Sequence, residues 1–209
     1  MKIRSLSEFN DTLDESKAWR KKDILELKLQ IEKQPKSGIL AKSAIVIAYS
    51  HWEGYVRDSI TAIIEYINAK KVRYNDIRIE IIVFQFLYEL KHHMIHTNID
   101  NIIELIRRIN TSKRIFINSK THIRKIKMLT WNEYKKIMQL LGLDIKSLET
   151  KQKFIDERLI STRNRIAHGE YENAVDHSLA IETLKLVIEI IEQHHAQVTE
   201  YISKKQYRK

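Results

Sequence analysis

The sequence predicts an all-α fold, a helical bundle, on three observations. Four glycines and one proline in 209 residues leave little punctuation for the many turns of a β-sandwich or barrel. Ile, Leu, Lys and Glu recur in long runs whose apolar positions step at helical spacing. With 43% hydrophobic and 31% charged residues, the chain is of the globular rather than the disordered kind and can bury a core. No cysteine is present, so a disulfide framework and a thiolate zinc site are both excluded, and the composition suits a reducing compartment. The N-terminus lacks the apolar stretch of a signal peptide, and no apolar run reaches the ~20 residues of a membrane span. The longest, Ile79 to Leu90, is interrupted by Glu80, Gln85 and Glu89. A single domain over 1–209, cytoplasmic and without a membrane partner, is expected.

Ser5 to Gln34 reads as the first helix, with Leu13, Trp19, Ile24, Leu27, Leu29 and Ile31 set among alternating charges. Pro35, Ser37 and Gly38 break it. A more apolar helix runs from about Ile39 to Lys70, where Ala41, Ala44, Ala48, Tyr55 and Ile63 mark a face for close packing. Within it Trp52 reads as core, and Gly54 thins the helix as the approach of another segment would require. Glu53 stands one turn from Tyr49 and from Arg57, so a pair with Arg57 is its simplest role. Asn75 or Asp76 is placed to cap a third helix over Ile77 to His96. His92, His93 and His96 cluster near its end. His92 and His96 have the spacing of a helical metal pair, but His93 stands where H-E-x-x-H needs Glu, so no metal or other cofactor is assigned. A short fourth helix is expected over Asp100 to Asn110.

Thr111 to Met128 is the least periodic stretch, and its alternation suits either a short hairpin or an ordered loop. Lys113, Arg114, Lys120, Arg124, Lys125 and Lys127 make it the densest basic segment, with Phe116 as a stacking ring. Together with the net charge of +10, this makes a polyanion a reasonable partner, RNA in particular. Thr130-Trp131-Asn132-Glu133 is a capping box that opens a helix ending at Leu141 before Gly142. Phe154 to Tyr171 carries an apolar stripe of Ile155, Leu159, Ile160, Ile166 and Ala167, and Gly169 stands where that helix should stop. The last helix, about Asn173 to Ser203, has its core stripe at Ala180, Ile181, Leu184, Val187, Ile188 and Ile191.

His168 therefore belongs at a helix C-terminus. Asn164, four residues earlier, shares its face, whereas Arg163, five earlier, lies well round the helix. One chain does not aim both groups at one atom, which points to a second copy or to a helix that ends before His168.

Arg163-Asn164-Arg165-Ile166-Ala167-His168, succeeded by Gly169, resembles the R-(x)4-H motif of the HEPN superfamily, whose Arg is often followed by Asn and whose His is often followed by Gly. The string S-H-W-E-G-Y-V, Ser50 to Val56, is similar to the early helix of the MAE-like HEPN branch, where an aromatic-Glu-Gly pattern recurs. Ile117-Asn118-Ser119, then a short helix ending L-L-G-L-D, then R-N-R-I-A-H-G, keep the same order as in that branch, although its longer polar pattern around Asn118 is only partly kept. The resemblance spans most of Lys42 to Ile191, and the first helix adds little to it.

The resemblance implies a metal-independent endoribonuclease without a cofactor, whose site is completed in a homodimer. It casts His168 as acid and base, Arg163 as phosphate clamp and Asn164 as a holder of the imidazole or of a phosphate oxygen. Glu53 would orient Arg163 by a charge-assisted hydrogen bond. Arg165 joins the basic stretch as an RNA-binding residue. These residue types suit the reaction, since imidazole moves protons near neutral pH and guanidinium stays charged and forks onto phosphate. The implied setting is a toxin or antiphage defence system, with a cognate antitoxin or defence-system protein as partner. The last helix and the motif helix are expected to supply much of the dimer interface. No P-loop, G-x-S-x-G or Cys nucleophile competes with this reading. A non-catalytic HEPN-like module that binds nucleotide, nucleic acid or a protein partner is the alternative.

Overall fold

Helix α2, Gly38–Ala69, buries side chains over more than half its circumference, from Ala41 and Ala44 through Trp52, Val56 and Ile60 to Tyr66 and Ile67. So broad an apolar face is stable only when other elements cover it. In the computed structural model, which describes residues 3–90, 103, 106–109, 111–124, 126, 128–170 and 175–209 (side chains of 87–90 aside), α2 is the central element. It packs against α1, Leu6–Lys33, and against the last helix, His177–Ser203, and those two also pack on each other. Between α2 and the last helix the chain forms α3, Ile79–Leu90; α4, Ser119–Arg124; α5, Trp131–Leu141; α6, Lys146–Glu149; and α7, Gln152–Phe154. A π-helix, Ile155–Ser161, then leads into α8, Thr162–Ala167, and the last helix is α9. The described regular structure is all-α, as expected. None of its helices is long and apolar enough to cross a membrane.

The buried face of α1 differs from the expected stripe. Phe9, Leu13, Ser16, Arg20, Ile24 and Ile31 point inward, while Trp19 (46% exposed) and Leu29 (55%) face out. Arg20 is the reason. Its Nε donates to the carbonyl of His51 at 3.2 Å, its Nη1 to Ser16 Oγ at 3.0 Å, and its Nη2 pairs with Asp58 at 3.1 Å. Trp19 lies over this guanidinium, 4.0 Å from Cζ to the ring centroid, and so covers a cation instead of entering the core. The close approach expected at Gly54 is this same arginine: a Cβ there would stand 2.7 Å from Arg20 Nη2.

α9 begins at His177, later than expected, because Asp176 accepts a hydrogen bond from the Leu179 N–H at 2.7 Å and caps it there. Ala180, Leu184, Val187 and Ile191 are buried, and Ile181 and Ile188 half-buried. Farther along, His194 sits wholly inside. Ser59 Oγ donates to the carbonyl of Val56, so it accepts from His194 Nε2 at 2.7 Å, and Nδ1 in turn accepts from the Tyr134 hydroxyl at 3.0 Å. The neutral imidazole is thus fully satisfied.

Tyr74–Asp76 is a 3₁₀ turn, so Asn75 and Asp76 lie inside it and α3 starts only at Ile79, where it packs on α5. His92, His93 and His96 lie outside the described residues. So does much of the helix expected over 100–110, of which 103 and 106–109 are helical. A hairpin within 111–128 does not form among the described residues. Residues 113–117 are extended, and their partner is the segment after α2: Ile115 N–H donates to Val72 O at 2.8 Å and Tyr74 N–H to Lys113 O at 3.1 Å. Asn68 completes the strip with both ends of its amide, donating to Ile117 O at 2.8 Å and accepting from Ile117 N–H at 3.0 Å. Thr130 accepts from Glu133 N–H at 3.1 Å and Gly142 takes φ +74°, so α5 starts and stops where its punctuation places it.

Gly54 and His194 each carry a testable consequence for stability. Gly54→Ala gains roughly 1 kcal/mol of helix propensity but displaces a buried, charge-assisted contact set worth about 1.5–3 kcal/mol. Chemical denaturation should therefore show a net loss, and the same substitution in an Arg20→Ala background should stabilise. For His194, burial first and the charge of His195 second depress the imidazole from 6.5 to about 3. The unfolded chain then binds the extra proton, so stability is full above pH 6.5 and lost as pH falls from there toward 3. The acid limb of the thermal midpoint should be shallower in His194→Gln than in the parent.

Candidate active site

The motif helix begins as an extra-wide turn. Ile155, Leu159 and Ile160 of the π-helix are buried against α2 and α9, and hydrogen bonds that span one residue more than in an α-helix re-aim the side chains of the next turns. α8 then runs only to Ala167. Gly169 takes φ +73°, its N–H donates to Ile166 O at 3.1 Å, and Glu170 N–H donates to Arg165 O at 3.0 Å, the paired bonds of a Schellman ending. His168 is the C-cap, its own N–H on Asn164 O at 3.0 Å. The helix thus ends before the imidazole, one of the two arrangements the spacing required.

Arg163 turns toward α2. Its Cζ lies 4.8 Å from the centroid of the Tyr49 ring, and its Nη1 donates to Asn164 Oδ1 at 3.1 Å. Its Nε is buried and meets no acceptor. Among the described residues no carboxylate faces this guanidinium. Other arginines are built differently: Arg20 pairs with Asp58 at 3.1 Å, Arg57 with Glu53 at 2.6 Å, Arg78 with Glu80 at 2.6 Å and Arg165 with Glu170 at 3.0 Å. Burying part of a charge without a counter-charge is unfavourable unless an anion completes the site.

The remaining motif residues divide. Asn164 commits its carbonyl oxygen to Arg163 rather than to the imidazole. His168 is exposed, and among the described residues of the single chain its imidazole has no hydrogen-bond partner. Arg165 is tied to Glu170 beside a cavity lined by Arg158, Thr162 and Leu179. Glu53 does not reach Arg163. It accepts from Nε and Nη2 of Arg57, at 3.2 and 2.6 Å, while Arg57 donates onward to the carbonyls of Ile123 (2.9 Å) and Ile126. That clamp fastens the end of α4 to α2, so the simplest reading of Glu53, its pair with Arg57, is the one the structure bears out.

The basic stretch is not one patch beside the motif. From Leu129, bonded to Tyr49, it runs back along α2 past Arg57 and Glu65 to Asn68. Tyr49 and Asn68 are about 28 Å apart along a helix rising ~1.5 Å per residue. Lys113 and Arg114 sit beyond that end, beside residues 72–74. Lys120 borders a cavity of about 380 Å³ whose walls include Glu15, Asp58 and Glu65, a carboxylate-rich surrounding. Arg124 is exposed, and Lys125 lies outside the described residues. Phe116 is 68% exposed.

Tyr49 is the residue that the sequence offered as no more than a neighbour of Glu53. Its only signal was the one-turn spacing. Its ring is buried, its hydroxyl accepts from Leu129 N–H at 2.9 Å and faces Leu129 O at 3.3 Å, and burial first, then the charge of Glu53, pushes that hydroxyl up to about 12.

No curated protein and no solved structure matches the chain. A family model does: MAE_28990-like HEPN matches residues 9–207, taking in α1, which the motifs alone had left outside the resemblance. With nearly the whole length matched on an all-α bundle, the chain belongs to the MAE_28990-like HEPN family.

Proposed function

We propose that the protein is a metal-independent endoribonuclease that cuts single-stranded RNA by attack of a ribose 2′-hydroxyl. The observation that carries this reading is Arg163, a half-buried guanidinium held by two neutral groups, with one N–H buried and unmatched, five residues before an exposed histidine. A phosphate supplies what that guanidinium lacks. In the reaction the 2′-oxygen bonds to phosphorus as its proton passes to an imidazole, and the bond from phosphorus to the 5′-oxygen breaks as that oxygen takes up a proton. The products are a 2′,3′-cyclic phosphate and a free 5′-hydroxyl. His168 performs the proton transfers, typically worth ~10²–10⁴ in rate, while Arg163 stabilises charge on the phosphorane.

One imidazole that makes no hydrogen bond to its own Arg163 is read as half a site. A homodimer would bring His168 of the partner subunit beside Arg163, and the surface next to Tyr49 has an apolar group for it: Met128, one residue before the Leu129 that Tyr49 binds, is 38% exposed. By contrast, no large hydrophobic of α9 is exposed among the described residues, which supports an interface at the turn before α5 rather than on the last helix. A chain that stays single favours the alternative, a non-catalytic module binding nucleotide, nucleic acid or protein through the same arginine. The toxin or antiphage setting, with its antitoxin or defence-system partner, rests on family resemblance.

With purified protein in EDTA, a single-stranded RNA should be cut and DNA of the same sequence left intact. His168→Ala and Arg163→Ala should each lower cutting at least ~100-fold with the helical circular dichroism unchanged. A folded His168→Ala chain that cuts at the parental rate overturns the reading. Separately, light scattering at micromolar concentration should report twice the mass of one chain, 24.9 kDa, and Met128→Glu should shift it toward that single mass.

A further inference from the structure

The guanidinium of Arg163 is positioned almost entirely by neutral groups. Asn164 Oδ1 takes one N–H, and the face of Tyr49, 4.8 Å away, takes the cation as a whole. The ring that does this cannot turn aside. It is 1% exposed, its hydroxyl is pinned between the N–H and the carbonyl of Leu129, and Trp52 packs against it at 6.0 Å with planes at 77°. Leu129 is itself buried where the chain enters α5, whose capping residue is the next one, Thr130.

A carboxylate in place of this ring would hold the arginine more tightly, but it would neutralise it and occupy the N–H fork. An aromatic face attracts the cation through its quadrupole, uses no N–H and leaves the positive charge uncompensated. We propose that Tyr49 is the positioning residue of Arg163: it sets the guanidinium against α2 without taking an N–H, leaving the charge and the N–H groups not given to Asn164 for an RNA phosphate. The role rests on the reading of Arg163 as the phosphate clamp. With its hydroxyl pushed up to about 12, the ring stays a neutral phenol through any working pH, so the attraction does not titrate.

The test has one readout that ignores RNA and one that uses it. In nitrogen-15-labelled protein, the Arg163 Nε–H resonance should carry a ring-current shift that persists in Tyr49→Phe and disappears in Tyr49→Leu. A parental resonance without that shift overturns the proposal. For binding, a single-stranded oligoribonucleotide is titrated against His168→Ala protein, which holds RNA without cutting it. Adding Tyr49→Leu should weaken the affinity about 3- to 30-fold, and adding Tyr49→Phe less than about 3-fold. The decisive arm adds Arg163→Ala: on that background Tyr49→Leu should change nothing further. Equal losses with and without Arg163 would mean that Tyr49 acts only by supporting the fold, and the proposal falls. Should Tyr49→Leu fail to fold, the parental ring-current shift and the Tyr49→Phe affinity decide. An oligoribonucleotide that does not bind the parental chain removes the ribonuclease reading instead, while the resonance still reports whether the ring holds the arginine.

Discussion

The broad burial of α2 is the constraint on which the rest of the structure depends. Polar groups on such a helix must each be met by a neighbour, and each meeting fixes an element. Gly54 and Asp58 receive Arg20 and seat α1. Glu53 and Arg57 hold the end of α4, Glu65 accepts from Ser119 at its start, and Asn68 aligns the extended strip. Ser59 fixes the neutral tautomer of His194 and with it the register of α9. At the other end Tyr49 anchors Leu129 and, on its ring face, Arg163.

Arg163 stands apart from this pattern because its neighbours leave its charge unanswered. Arg20 is more deeply buried and Arg57 is likewise half-buried, yet each closes on a carboxylate. A protein selected for stability alone has no use for an arginine with a buried, unmatched Nε, since a hydrophobic side chain would pack there without that penalty. Such an unanswered charge is what the proposed phosphate site would need before its anion arrives. The short α8, cut off by Gly169 in the left-handed region, keeps both groups near the surface end of the bundle.

The sequence is most legible where a local rule acts alone. Gly142 and Gly169 end their helices, Thr130 opens α5, and the alanine-rich face of α2 packs as its spacing indicates. Pattern misleads where tertiary partners override it. Trp19 reads as core by hydrophobicity, but Arg20 takes the inward position through three partners on α1 and α2. The alternation around Phe116 is real, with Ile115 and Ile117 buried either side of it, but its partner is the segment after α2 rather than a second hairpin strand. For the site, residue type and spacing mark Arg163 and His168. They do not show that Glu53 belongs to Arg57, nor that Tyr49 lies under the guanidinium, because both depend on contacts between segments distant in sequence or on a choice among partners one turn away.

Whether the exposed imidazole and the unanswered guanidinium act on one phosphate is tested most directly at the cut ends of RNA. A defined oligoribonucleotide carrying a single 2′-deoxy sugar at a preferred cleavage position should be cut everywhere except after that sugar. Mass spectrometry should find 2′,3′-cyclic phosphates on the upstream fragments and free 5′-hydroxyls on the downstream ones. Cleavage after the deoxy position, or 5′-phosphate ends, would contradict the account.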